Sequence, residues 1–207
     1  MDARHVLPEF SERTSYGLRT LDPYAKLLEN RVVFLGTAVD DAAASDVIAQ
    51  LLYLDHADPG RDIALYLNSP GGSITATTAI HDTMRSLASD VETTCLGQVG
   101  STAAVLLAAG APGKRMTLPG ARITLRQPVL DEPFTGRPSD LDLQAREMAR
   151  LREVMTRLLC AYTGRDEERI TADTDRPTVL DAPAALAYGL VDHIVSDRRA
   201  ASGASAR

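Results

Sequence analysis

The stretch that decides the fold is VETTCLGQVGSTAAVLLAAG, residues 91–110. An apolar run rich in β-branched residues reaches Gly97 and Gly100, and from Ser101 the chain is nearly free of polar residues up to Gly110. This order predicts a strand, a tight turn and a helix. Because a helix that is apolar on all sides is buried, we expect this one in the centre of the domain. Gly110 is expected to end it at the C′ position.

The same order of elements occurs twice upstream. RVVFLG (31–36) predicts a strand, and DIALYLNSPGG (62–72) predicts another that runs into a Pro-Gly-Gly turn and a helix over 74–87. Strands that alternate with helices indicate an α/β fold. The helix after the first strand follows an Asp-rich cap, and its apolar residues keep helical spacing: Val47, Ile48, Leu51, Leu52 and Leu54.

Downstream, Arg115–Leu118 and Arg122–Leu125 predict two short strands, followed by an irregular segment with three prolines. A long helix is then predicted, with Ser139 as its cap and Gly164 as its stop. Its apolar residues recur with a period of 3.6: Leu141, Ala145, Met148, Leu151, Met155, Leu158 and Tyr162. A short helix near 181–188 and a last strand follow.

Length and composition exclude several classes of protein. The 207 residues suit one domain of ordinary size. A net charge of -6 argues against binding to nucleic acid or to an anionic membrane. No apolar segment approaches the ~20 residues of a membrane helix, and the N-terminus has no hydrophobic signal core, so we expect a cytoplasmic protein. Cys95 and Cys160 lack CxxC spacing; we expect them reduced and buried, and we expect no metal or cofactor.

Two glycine-rich turns carry candidate chemistry. In GQVGSTAA (97–104), Ser101 lies between a turn and a helix N-terminus, where amides and the helix dipole favour developing negative charge. Serine is also a preferred helix N-cap, so this motif alone leaves a purely structural role open. In NSPGGSI (68–74), bare backbone amides can donate to an oxyanion, although Pro-Gly-Gly also occurs in ordinary turns.

In this order and spacing the two motifs resemble the proteolytic subunit of the Clp protease, ClpP. The resemblance covers nearly the whole chain, including TSYGLRTLDPYAKLLENRVVFLG, CLGQVGSTAAVLLAAGAPGKRMTLPGARI and TGRDEERITADTDR. It implies stacked ββα units, a fold shared with crotonases, with a projecting strand-helix handle at about residues 127–163. It also implies an N-terminal arm or axial loop (1–18), a ClpP-like domain (19–196) and a flexible tail (197–207). Seven such subunits would form a ring, and two rings would stack through their handles.

Transferred residue by residue, the resemblance places the family's nucleophile at Ser101 and its oxyanion-hole amides at Gly72 and Thr102. The catalytic histidine matches Arg126 in RITLRQP, and the catalytic aspartate matches Pro177 in DTDRP. A general base must accept a proton near neutral pH, which a guanidinium with a pKa above ~12 does not do. Proline offers no carboxylate to orient a base. We therefore expect a degenerate triad, similar in kind to the noncatalytic ClpR subunits.

Other residues are poor replacements for the missing base. His81 and His193 match positions where the family tolerates varied polar residues, and we expect both on the surface. A serine-lysine dyad has only Lys26 and Lys114 to draw on, and Lys114 lies in the family's usual GKR turn. Asp175 is the carboxylate nearest to the missing one, but two residues away along the chain it should point elsewhere.

The resemblance also implies partners. Asp175 and Arg176 match an Asp-Arg pair that joins the two rings in the family, so we expect other ClpP-type subunits in homo- or hetero-oligomeric stacked rings. Unfolded polypeptides are the expected substrates of the complex. A Clp ATPase of the AAA+ class is a further partner, with weak docking expected, because the aromatic pocket keeps Tyr66 but has small residues elsewhere: Ala64, Ser86 and Thr94.

The sequence therefore predicts a noncatalytic structural or regulatory subunit of a mixed Clp complex. One alternative is a weak serine endopeptidase that uses Ser101 with a non-standard base. Others are an acyl-CoA-handling enzyme of the related crotonase fold and a decoy subunit that protects a complex from serine-acylating inhibitors. A fluorophosphonate probe separates the first alternative, because only an activated serine reacts quickly.

Overall fold

The computed structural model describes residues 9–14, 17–129 and 135–196. Residues 130–134 of the predicted handle and the predicted tail lie outside the described residues, as does most of the predicted arm. The division into arm, domain and tail stays a prediction.

The described residues form nine strands and seven helices. The strands are β1 (Phe10–Thr14), β2 (Gly17–Leu21), β3 (Val32–Leu35), β4 (Ile63–Ser69), β5 (Val91–Gly100), β6 (Arg115–Thr117), β7 (Arg122–Leu125), β8 (Thr178–Leu180) and β9 (His193–Ile194). The helices are α1 (Pro23–Glu29), α2 (Asp41–Ala57), α3 (Ile74–Ser86), α4 (Ala103–Ala108), α5 (Pro138–Thr163), α6 (Glu167–Asp175) and α7 (Ala182–Tyr188). Strands β1 and β2 pair with each other antiparallel, and the other seven form one sheet.

The seven-stranded sheet divides at β5, its longest strand. The order β3-β4-β5-β6-β9 is parallel throughout, with β6 beside the first half of β5 (Thr93 opposite Arg115). Beside the second half of β5 lies β7, with Gln98 opposite Arg122, and β8 pairs antiparallel with β7. The predicted α/β class is confirmed, and the carboxyl end of β5 lies where β7 and β8 join the sheet.

Helix α4 occupies the centre, as the sequence predicts. All six of its residues are buried, because they pack against the sheet on one side and against α3 and α5 on others. Gly110 follows the C-cap residue Ala109 and so takes the predicted C′ position, but its φ is not positive. A Cβ there would meet the side chain of Thr93 and would lie 3.0 Å from Cγ of Arg115. Glycine is therefore required by close packing and not by a left-handed cap.

Helix α5 extends over 26 residues and ends at Gly164, whose φ of 70° is the predicted left-handed stop. Its start differs from the prediction: the N-cap is Arg137, and not Ser139. Pro138 takes the first helical position, which suits a residue without an N–H, and the Asp140 carboxylate accepts the Arg137 N–H at 3.1 Å.

The two halves of α5 differ in their packing. Near its start Leu141 is 45% exposed and Leu143 70%. Near its end Met155 and Leu159 are buried in the core. Of the predicted apolar stripe, Leu141 and Ala145 are exposed, whereas Leu151, Met155, Leu158 and Tyr162 belong to the core or pack against it. The stripe therefore packs within the subunit only along the second half of the helix.

The C-terminal strand is joined to β6 by an ion pair. Nη2 of Arg115 lies 2.6 Å from Oδ1 of Asp192, and Nε lies 2.9 Å from Oδ2. The two side chains are only 12% and 20% exposed. Hydrogen bonding to the Arg115 guanidinium lowers the pKa of Asp192, so the carboxylate stays charged. In the described part of the chain, no helix is long and apolar enough to cross a membrane.

Candidate active site

Ser101 occupies a strained turn between β5 and α4. Its φ of 49° is in the left-handed region, which costs a non-glycine residue roughly 1–3 kcal/mol. The turn is held from both sides, because the Ser101 N–H donates to the carbonyl of Thr124 at 2.8 Å and its own carbonyl accepts the N–H of Ala104 at 3.1 Å. A serine at a sharp strand-to-helix turn is the geometry of a nucleophile elbow.

The Ser101 hydroxyl does not cap the helix. Thr102 holds the N-cap position of α4, without a side-chain capping bond. Ser101 is 3% exposed, and its hydroxyl has no hydrogen-bond partner among the described residues. No fully buried side-chain nitrogen or oxygen in that part of the chain lacks a partner, so Oγ of Ser101 keeps some contact with solvent. The hydroxyl is reachable, and nothing described accepts its proton.

The two glycine-rich turns meet through their backbones. A Cβ on Gly71, whose φ is 91°, would meet the carbonyl oxygen of Gly100 and lie 3.1 Å from Cβ of Ser101. A Cβ on Gly100 would lie 2.7 Å from the carbonyl oxygen of Pro70. Only glycine allows this approach, and it brings the NSPGG turn beside the serine.

The amide of Gly72 is occupied by a neighbouring side chain. Its N–H donates to Oγ1 of Thr102 at 3.1 Å, and that hydroxyl donates to the Gly72 carbonyl at 3.3 Å. The N–H of Thr102 has no partner among the residues described. Of the two amides that the resemblance assigns to an oxyanion hole, one is therefore free and one is engaged. The sequence shows a hydroxyl residue, Thr102, directly after the serine. It does not show that this hydroxyl bonds to Gly72, because that contact depends on the tertiary structure.

Arg126 and Pro177 lie at the same end of the sheet. In the antiparallel pair of β7 and β8, Leu125 is opposite Thr178, and the next step in that register sets Arg126 beside Pro177. Both line a cavity of about 230 Å³ with five other residues: Pro70, Gln98, Val99, Gly100 and Thr124. Arg126 is half-buried and has no hydrogen bond or ion pair with any described residue.

Neither lysine is placed to act as a base. Lys114 donates to Asp62 at 2.5 Å and to Asp90 at 3.0 Å, near the start of β5 and away from Ser101. These bonds, the one to Asp62 foremost, raise the pKa of Lys114, so it holds its proton more firmly than a free lysine. Lys26 pairs with two glutamates, Glu12 and Glu29.

The expected surface position of His81 is wrong. It is 7% exposed, with Nδ1 2.7 Å from Oδ1 of Asp82 and Nε2 2.6 Å from the hydroxyl of Tyr162. Both ring nitrogens are therefore engaged, and the contact of Nε2 with Tyr162 joins α3 to α5. His193 is exposed, as expected. Neither histidine lines a cavity beside Arg126.

The residues expected at a ring junction are exposed. Asp175 ends α6 and Arg176 follows it, and neither forms an ion pair with a described residue. Asp175 lines a separate open cavity of about 780 Å³, where Arg152 and two glutamates of α6 also lie. It does not line the cavity of Arg126 and Pro177.

The cysteines take no part in this site. Burial raises the pKa of the Cys95 thiol to about 11, so it stays protonated and unreactive. Cys160 is free as well, but it is only partly buried, less than the sequence suggests.

Comparison with known proteins decides the family. A model of the Clp protease family matches residues 15–198. The chain belongs to the Clp protease family. An ATP-dependent Clp protease proteolytic subunit-like protein of Streptomyces coelicolor is 61% identical over 205 residues, which cover 98% of this chain and 97% of that protein.

Two further relatives carry the name ATP-dependent Clp protease proteolytic subunit 1. The Corynebacterium efficiens protein is 52% identical over 197 residues, covering 95% of this chain and 94% of its own length. The Bifidobacterium longum protein is 50% identical over 196 residues, covering 95% and 84%. The resemblance stated from the motifs is confirmed, and the chain is a Clp protease subunit.

Proposed function

We propose that this chain is a noncatalytic structural or regulatory subunit of a mixed Clp complex. One observation carries the proposal: the Ser101 hydroxyl has no hydrogen-bond partner among the described residues. Arg126 and Pro177, at the end of β7 and β8, line a cavity with Gly100, the residue before Ser101. A serine without a base is a weak nucleophile near neutral pH. Removing the histidine of a triad costs on the order of a million-fold in kcat.

The engaged Gly72 amide supports the same conclusion. An oxyanion hole stabilises the transition state only if its donors are free and already oriented. Here the Thr102 hydroxyl must leave the Gly72 N–H before that amide can donate to a substrate oxygen. Within the described part of the chain, Ser101 thus has no base, and one proposed donor is occupied.

Exposed residues support a role in assembly. Asp175 and Arg176 have no ion-pair partner within the described subunit, and Leu141 and Leu143 are exposed on the first half of α5. Apolar surface of this kind favours burial against another protein. The proposed partners are other ClpP-type subunits in stacked rings and, through weaker docking, an AAA+ Clp ATPase. The complex would process unfolded polypeptides in the cytoplasm.

The test of inactivity compares the wild-type protein with Ser101→Ala. We expect neither to hydrolyse fluorogenic peptides or unfolded proteins above background, and we expect slow labelling of the wild type by a fluorophosphonate. A catalytically active relative assayed in parallel shows that the conditions support turnover. Wild-type turnover that disappears in Ser101→Ala would refute the proposal.

The test of assembly is sedimentation of the protein alone and mixed with candidate paralogues, followed by identification of the subunits in each particle. We expect ring-sized particles that contain this chain. A protein that remains monomeric in every mixture would contradict the structural role.

A weak serine endopeptidase is the second candidate function. The strained φ of Ser101 and the free N–H of Thr102 favour it, because both belong to a working acyl-transfer site. It would need a base from another subunit or from solvent. Labelling by the fluorophosphonate only after mixing with a paralogue would support this reading.

A further inference from the structure

A second cavity, of about 430 Å³, is lined by Arg126 but not by Pro177. Its walls are the loop from Ala38 to Asp41, the glycine turn from Pro70 to Ser73, and Arg126. This volume is in the range of small-molecule sites in proteins.

The cavity walls are fixed by backbone hydrogen bonds. The N–H of Val39 donates to the carbonyl of Gly71 at 3.0 Å, and the Val39 carbonyl accepts the N–H of Ser73 at 2.8 Å. A Cβ on Gly72 would meet the carbonyl oxygen of Val39, so the two walls are as close as a glycine permits. A rigid cavity loses less conformational entropy when a ligand binds.

The cavity holds charges that do not neutralise one another. Arg126 forms no ion pair with a described residue, and Asp40 and Asp41 are exposed carboxylates without one. One oxygen of Asp40 accepts the N–H of Ala43 at 2.7 Å, which leaves its other oxygen available. One guanidinium and two carboxylates therefore line the same cavity. The guanidinium is too far from either carboxylate to form a salt bridge.

We propose that this cavity binds short peptides whose two termini are both free, with Arg126 on the terminal carboxylate and Asp40 or Asp41 on the terminal ammonium. A guanidinium matches a carboxylate with two parallel hydrogen bonds. A simple anion such as phosphate fits less well, because it would face the two carboxylates as well as the arginine. A ligand with both charges can pair with the arginine and with a carboxylate at once.

The ligand class follows from the chemistry of proteolysis. Hydrolysis of a peptide bond creates a carboxylate on one fragment and an ammonium on the other, so a peptide released by two cuts carries both charges, which are complementary to Arg126 and to the two aspartates. The inference rests on the proposed function to this extent: a noncatalytic subunit in a proteolytic complex meets such products. Arg126, which removes the base, would then give the subunit a site for product.

The experiment is isothermal titration of the intact protein with trialanine, N-acetyl-trialanine and trialanine amide. We expect trialanine to bind at least about tenfold more tightly than either blocked peptide, because each block removes one charge-assisted contact. Arg126→Gln should weaken trialanine about tenfold and leave trialanine amide unchanged. The double variant Asp40→Asn with Asp41→Asn should bind trialanine more weakly and bind N-acetyl-trialanine with unchanged affinity. Asparagine is chosen because it still caps a helix at position 40.

Arg122→Gln is the matched control, because Arg122 is an exposed arginine of the same strand that does not line the cavity. Its affinity for trialanine should equal that of the wild type. Equal affinities for the three peptides, tighter binding of phosphate, or no binding of trialanine at millimolar concentration would each overturn the inference. None of these results bears on turnover by Ser101 or on sedimentation, so the proposed function can fail or stand independently.

Discussion

Rebuilding the missing base tests the chemistry of the site most directly. The change is Arg126→His together with Pro177→Asp. Because the register of β7 and β8 sets these two positions side by side, the new imidazole and carboxylate are expected to meet as neighbours. Both positions line the cavity that includes Gly100, the residue before Ser101.

The magnitudes follow from what each group contributes. Loss of the orienting carboxylate of a serine triad costs about 10⁴ in kcat, so Arg126→His alone should stay near background and the double variant should exceed it by up to about 10⁴-fold. An oxyanion donor contributes about 10²–10³. The Gly72 amide is held by Thr102 through one neutral hydrogen bond, which costs about 1 kcal/mol to release, so we expect the double variant to fall short of an active family member by about fivefold.

The assay is hydrolysis of a fluorogenic peptide by the single and double variants, with the double variant carrying Ser101→Ala as the control for background. Circular dichroism and sedimentation show whether each variant keeps its fold. A single variant as active as the double one would show that the carboxylate is not needed. A folded double variant without any gain would refute the placement of Arg126 and Pro177 around Ser101.

Three further predictions concern single contacts. Thr102→Val, added to the Arg126→His and Pro177→Asp variant, should raise kcat about fivefold, because it frees the Gly72 amide from one neutral hydrogen bond. An unchanged kcat would mean that this bond does not compete with the substrate. Arg176→Ala should weaken ring stacking in sedimentation at unchanged thermal stability, since it has no partner within the described subunit; equal particle sizes would contradict this. Asp192→Asn should lower the free energy of unfolding by roughly 2–3 kcal/mol at pH 7, measured by urea denaturation, because it breaks the pair with Arg115. Since the folded-state pKa of Asp192 is depressed, that difference should shrink as pH falls below about 4, and a gap that does not shrink would show that the charge is not its source.

The sheet and the central helix could be predicted because their signals are local. In β4 every second residue is fully buried, and α4 has no polar residue to expose. Helix α6 gave no such signal, because only Ile170 and Thr174 of its nine residues are buried. The burial of His81 depends on Tyr162, which is 81 residues away along the chain, and sequence spacing does not show such a contact.

The site was predictable to a similar extent. The turns that carry Ser101 and Gly72 could be located from their glycines, because tight turns and close backbone contacts require glycine. The bond between the Thr102 hydroxyl and Gly72 could not, because it depends on the rotamer of one side chain against a turn 30 residues upstream. Nor does the sequence show that Arg126 shares a cavity with Asp40, since the two residues are far apart along the chain and come together only in the fold.

Helix α5 has the mechanics of a lever fixed at one end. Its buried residues, Met155, Thr156 and Leu159, and the bond between His81 and Tyr162 lie in the last third of the helix. Residues 138–153 precede that anchor and span about 24 Å at 1.5 Å per residue, so a rotation of about 5° at the anchor displaces the first turn by about 2 Å. A small rearrangement around His81 would therefore shift Leu141, about 20 Å from the anchor, by nearly 2 Å, and any subunit seated on that end would move with it.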